Sequence, residues 1–178
     1  MRALPDRGIA LKRVALLAAA AVILQITVMP GITVADGSPD IVIAAVVSIA
    51  VLRGSLVGAV TGFACGFLVE LTTPVGTLGV MALLYLAVGA WCGLFADRPE
   101  ASTIGLPLGL IVAGAAFVQV GYALFQWLLG TDVTASVIAM RIVVPTVALS
   151  ALLGPPVLLV ARRLLGAPID VEPGMLDE

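Results

Sequence analysis

Apolar residues run along this chain in six stretches separated by short polar joints. A helix needs about 20 apolar residues to cover the hydrocarbon core of a bilayer. The pattern predicts membrane spans over residues 14–34, 39–52, 54–71, 76–96, 103–129 and 137–161, of which the second is short. The joints are ADGS, the Arg53–Gly54 corner, TTPVG, DRPEA and GTDVT. The expectation is an all-α integral membrane protein, a bundle of six transmembrane helices.

The third stretch has a pattern of its own. Gly54, Gly58, Gly62 and Gly66 recur at every fourth position, and Glu70 takes the next place in the series. At about 100° per residue each step drifts by about 40°, so the glycines form a slanting ridge without side chains. Such a ridge admits another helix at close range. The helix that fills it is either a neighbour in the same bundle or a partner's. Gly89 and Gly93 repeat the spacing in the fourth stretch, and Gly105 and Gly109 do so in the fifth.

The basic residues decide the number of spans. With the N-terminus inside, six spans place Arg2, Arg7, Lys12, Arg13, Arg53, Arg98, Arg162 and Arg163 on the inner side. The outer joints then hold Asp36, Asp40 and Asp132, in keeping with the excess of Lys and Arg in cytoplasmic loops. Omitting the short second span would move Arg98 and the Arg162–Arg163 pair outside. Both termini are therefore expected in the cytoplasm. Residues 1–165 are read as one transmembrane domain, and 166–178, with Pro168, Pro173, Gly174 and an acidic end, as a short disordered tail. The alternative that the first stretch is a secretory signal fits less well. Its apolar run is too long, and Met29-Pro30-Gly31 is a poor approach to a cleavage site.

Composition agrees with the pattern and narrows the chemistry. The chain is 61% hydrophobic and 11% charged, against about 25% charged in soluble domains. It has no histidine, the commonest general base. No phosphate loop, HExxH helix or G-x-S-x-G elbow is present, nor a basic, aromatic surface for nucleic acid. No enzymatic activity, cofactor or metal is expected. Cys65 and Cys92 lie within apolar runs and read as small buried hydrophobes.

Four charged residues are candidates for more than solvation. Asp40, after Pro39, suits the N-terminus of a helix, where it meets the dipole and caps free N–H groups. Arg53 marks a corner on the inner side, its charge reaching the headgroups. Glu70 either binds a proton, an ion or a partner's base, or reaches the headgroup layer beside Thr72 and Thr73. Arg141 lies either about one turn inside the membrane or at its surface, and a pair with Glu70 or Asp40 would be at the outer end. Pro145 and the Pro155–Pro156 pair are expected to kink the last helix or loosen its hydrogen bonding.

The order Pro39-Asp40, an apolar run, Leu52-Arg53-Gly54, Gly62-Phe63 with Gly66 and Glu70, then Leu78-Gly79 resembles the bacterial rod shape-determining MreD family over residues 39–93. The departures are Glu70, where that family usually has aspartate, and Ser150, where it often has asparagine. The resemblance implies a multi-pass plasma-membrane component of the cell-elongation machinery without catalytic activity. Its partners would be MreC and, through it, MreB, RodA and a class B penicillin-binding protein. It also implies a fold similar to the six-helix substrate-binding subunits of energy-coupling-factor transporters. A small-molecule-binding subunit of such a transporter is the alternative function, although short outer joints and few polar residues at the outer helix ends offer little for a ligand.

Overall fold

The computed structural model of the protein describes residues 7–32, 37–72, 79–130 and 143–166. These form six α-helices and two short 3-10 turns, with no strand among the described residues. The helices are α1 (Arg7–Thr27), α2 (Ile41–Arg53), α3 (Ser55–Thr72), α4 (Val80–Gly93), α5 (Gly105–Leu128) and α6 (Val144–Leu165). The 3-10 turns are Met29–Gly31 and Pro99–Ser102. By length and composition α1, α3, α5 and α6 are able to cross a membrane, whereas α2 and α4 are shorter apolar helices.

Helix α2 is the axis of the molecule. Its residues are apolar on every side except at Ser48 and the terminal Arg53, and each one from Ile41 to Leu52 is buried. A helix that is hydrophobic all round belongs inside a larger structure. The other five surround it in the order α1, α3, α4, α5, α6, and α6 returns to meet α1. Val42, Val46 and Val47 are fully enclosed, packed with Val22, Cys65, Val88, Cys92, Ile111 and Val118 from four neighbouring helices. Ser48 satisfies its hydroxyl within the helix, donating to the Ala44 carbonyl at 2.7 Å. Lipid tails are as apolar as these side chains, so close van der Waals packing, more than escape from water, holds such a bundle together.

The helix ends depart from the sequence pattern for local reasons. Helix α1 runs from Arg7 to Thr27, short of 34, and Pro30, which cannot donate within a helix, lies in the 3-10 turn Met29–Gly31 that follows. In the fourth stretch, expected over 76–96 and described from Gly79 on, the helix covers Val80–Gly93 and the chain turns from Leu94. The 13 residues of α2 cover about 20 Å, less than the hydrocarbon thickness of about 30 Å. A helix sheathed by its neighbours need not match that thickness. Helix α6 runs four residues beyond 161 because Arg162 and Arg163 suit a helix C-terminus, and it ends at Gly166 with φ +82°. Pro145 lies in the first turn of α6, where no N–H is required. The Pro155–Pro156 pair lies within the same continuous helix.

Candidate functional site

The glycine series divides into two roles. Gly58, Gly62 and Gly66 are buried on one face of α3 and lie directly against the backbone of α4. A Cβ on Gly58 would fall 2.5 Å from the Gly89 carbonyl oxygen, one on Gly62 2.8 Å from the Tyr85 carbonyl carbon, and one on Gly66 2.8 Å from Ala82 Cα. No side chain fits at these positions while the two backbones stay where they are. Gly89 and Gly93 supply the matching surface of α4, Gly89 against Gly58 and Gly93 against Ser55. The groove is thus filled from within the bundle. Gly54 is not part of it: it adopts φ +88°, has open space where a Cβ would lie, and turns the chain from α2 directly into α3. Gly105 and Gly109 also face open space, so their spacing makes no helix contact.

At the end of the bundle where α2 begins, polar groups from four helices converge. The Asp40 side chain accepts from the Ile43 amide at 3.0 Å, capping α2. Its other carboxylate oxygen accepts from the Tyr85 hydroxyl of α4. The Asp40 amide donates to Ser150 Oγ of α6 at 2.9 Å, and that hydroxyl donates to the Thr146 carbonyl at 2.7 Å. From α1, Gln25 uses both halves of its amide, donating to the Pro39 carbonyl at 3.1 Å and accepting from the Ile41 amide at 2.8 Å. Asp40, Tyr85 and Ser150 are buried. Buried polar groups are costly unless paired, and here each has a partner. The cluster fastens α1, α4 and α6 to the start of α2.

Glu70 also caps a helix, from across the α3–α4 joint. Helix α4 begins after Gly79, which has no side chain to offer and adopts φ +104°. The buried Glu70 carboxylate accepts from the Gly79 amide at 2.7 Å and from the Met81 amide at 3.3 Å. A carboxylate there satisfies free N–H groups and meets the positive end of the helix dipole. Arg141, and with it any pair it forms with Glu70 or Asp40, lies outside the described residues.

The opposite end of the bundle is basic. Arg53 donates through Nη2 to the Leu165 carbonyl, and Arg13 through Nη1 to the Leu164 carbonyl at 3.3 Å. The α2–α3 corner and α1 are thereby joined to the last turn of α6. Arg162 reaches the other way, from α6 to the carbonyls of Ala101 and Thr103 at 3.1 and 2.5 Å. Arg98 lies over the Phe95 ring, 4.9 Å from its centre. Cys65 and Cys92 are free and buried within the core.

Sequence reasoning singled out Asp40, Arg53 and Glu70, and named Gly79 and Ser150 only as marks of the family pattern; it passed over Gln25 and Tyr85. Gln25 is the one amide in the apolar run of α1, and Tyr85 one of two tyrosines in the chain. Each was a visible polar interruption, although nothing in its spacing pointed to Asp40. Among the described residues no group of His, Cys, Asp or Glu is suited to hold a metal ion. No family model, curated protein or solved structure matches the chain.

Proposed function

We propose that this chain is a six-span protein of the bacterial plasma membrane with both termini in the cytoplasm, and that it serves the cell-elongation machinery as a non-enzymatic scaffold or regulator of peptidoglycan synthesis. In this reading it binds MreC directly, and MreB, RodA and a class B penicillin-binding protein through that complex. The orientation draws on charge. Lys12, Arg13, Arg53, Arg98, Arg162 and Arg163 belong to one end of the bundle, the end that the positive-inside rule assigns to the cytoplasm.

The observation that supports the function is that, among the described residues of the segment carrying the MreD-like pattern, five of those quoted each meet a physical need. Asp40 caps α2, Gly54 turns the corner, Gly62 and Gly66 admit α4, and Glu70 caps α4. A pattern so anchored in backbone geometry suits a mark of common fold. Because α4 occupies the ladder, MreC would meet the outer surface of the bundle.

Co-purification tests the reading. Tagged protein from membranes of the source bacterium is expected to bring down MreC, with crosslinks formed from cysteines at outward positions such as Val60 and Leu71 and none from the native, buried Cys65. A well-inserted protein that captures no MreC would sink the assignment. A reporter placed after residue 166 that is read outside the cell would sink the orientation.

A further inference from the structure

The basic end of the bundle has cationic donors that the fold itself does not use. Arg13 of α1 and Arg53 of the α2–α3 corner converge on successive carbonyls of α6, Leu164 and Leu165. Two guanidinium groups are thus anchored on the last turn of α6, and neither meets a carboxylate among the described residues. Each spends one terminal nitrogen on α6. The other terminal nitrogen of each has no acceptor among the described residues, and Arg53 Nε is buried without a partner. Lys12 and Arg163, both exposed, add two further charges at the same end.

The C-terminal carbonyls of α6 offset this charge only in part, since a helix end carries about half an elementary charge. Two cations anchored on the same helix turn, each with unused donors, suit a phosphate, which accepts from more than one guanidinium at once. In a membrane-spanning bundle this end lies in the headgroup layer, where basic pockets between helices take anionic lipid headgroups.

We infer that Arg13 and Arg53, at the meeting of α1, the α2–α3 corner and the end of α6, bind the phosphate of an anionic phospholipid. The lipid bridges helices at the place where α6 closes the ring onto α1. The inference rests on the membrane placement proposed above and is independent of the assignment to cell elongation, because the test needs only the purified chain.

The test is native mass spectrometry of the full chain in detergent, titrated with phosphatidylglycerol, with zwitterionic phosphatidylcholine and with inorganic phosphate. Phosphatidylglycerol is expected to be retained selectively. Loss of one charge-assisted contact in Arg13→Gln is expected to weaken retention about tenfold. Arg13 is exposed, so that variant should keep the fold. Arg53→Lys, which keeps the charge but not the fork, is expected to weaken retention less than Arg53→Gln.

Equal retention of phosphatidylcholine, or undiminished retention by Arg13→Gln, would overturn the site. Displacement of the lipid by inorganic phosphate at equal concentration would overturn the lipid as its occupant. The acids that follow α6 in sequence, Asp170, Glu172, Asp177 and Glu178, are a rival occupant. Retention seen only after all four are changed to their amides would assign the site to the chain's own tail and overturn the proposal.

Discussion

Replacing Gly62 by alanine sets two effects of opposite sign against each other. In an open helix, alanine is favoured over glycine by about 1 kcal/mol. At Gly62, the new Cβ would lie 2.8 Å from the Tyr85 carbonyl carbon and closer still to its oxygen. These are backbone atoms of α4, so no change of rotamer relieves the contact. Restoring 3.4 Å to both atoms requires α4 to withdraw by about 1 Å, which forfeits about half of the dispersion attraction along that contact. Overpacking of this kind costs about 1–3 kcal/mol, and it pulls on the helix whose Tyr85 hydroxyl holds Asp40. Gly62→Ala is therefore expected to destabilise. Gly109→Ala is the internal control, because a Cβ there meets nothing within 4 Å and only the helix preference acts. The two variants should differ by the overpacking term alone, about 1–3 kcal/mol, or roughly 2–12 °C in melting temperature for a chain of this size. Thermal unfolding of both proteins in the same detergent measures the gap. If Gly62→Ala melts at or above the parent, α4 is not seated on the glycine face and the reading of the ladder is wrong.

Three further outcomes follow from the polar contacts and the core. Tyr85→Phe removes the hydroxyl donor to the buried Asp40 carboxylate and should cost about 1.5–3 kcal/mol. An unchanged melting temperature would show that the Asp40 cluster does not hold the helices together. Glu70→Ala uncaps α4 and should cost about 0.5–2 kcal/mol, with faster amide exchange at Gly79 and Met81 but not at Val88. Uniform exchange along α4 would speak against the cap. Cys65 and Cys92, both buried, should resist maleimide in the folded protein and react after denaturation. Rapid labelling of either in the native state would contradict the packing around α2.

The polar contacts show how far a linear reading reaches. Asp40 was legible as a cap because capping is local: the carboxylate and the Ile43 amide are three residues apart. Glu70 stood out as an acid ending the glycine series, but its task was not legible, since the amides it serves belong to the next helix. Gln25, Tyr85 and Ser150 became a set only where α1, α4 and α6 meet the start of α2. Ser150 is 110 residues from Asp40 in sequence, and no spacing rule spans such a distance.

The order of residues alone determined that this is a chain of apolar helices joined by short connections, because helix periodicity, span length and turn residues are local properties. It also determined that α3 has a face without side chains and that positive charge collects at alternate joints. Only the tertiary structure decided that the short α2 is the buried axis of a ring, that the glycine face belongs to α4, and that Gly54 is a corner and not the first rung of the ladder. A bare helix face specifies close approach and leaves the identity of its neighbour open. That choice belongs to the whole bundle, where Gly58, Gly62 and Gly66 find their counterpart in the backbone from Met81 to Gly89, with Ala50 of α2 also against Gly58.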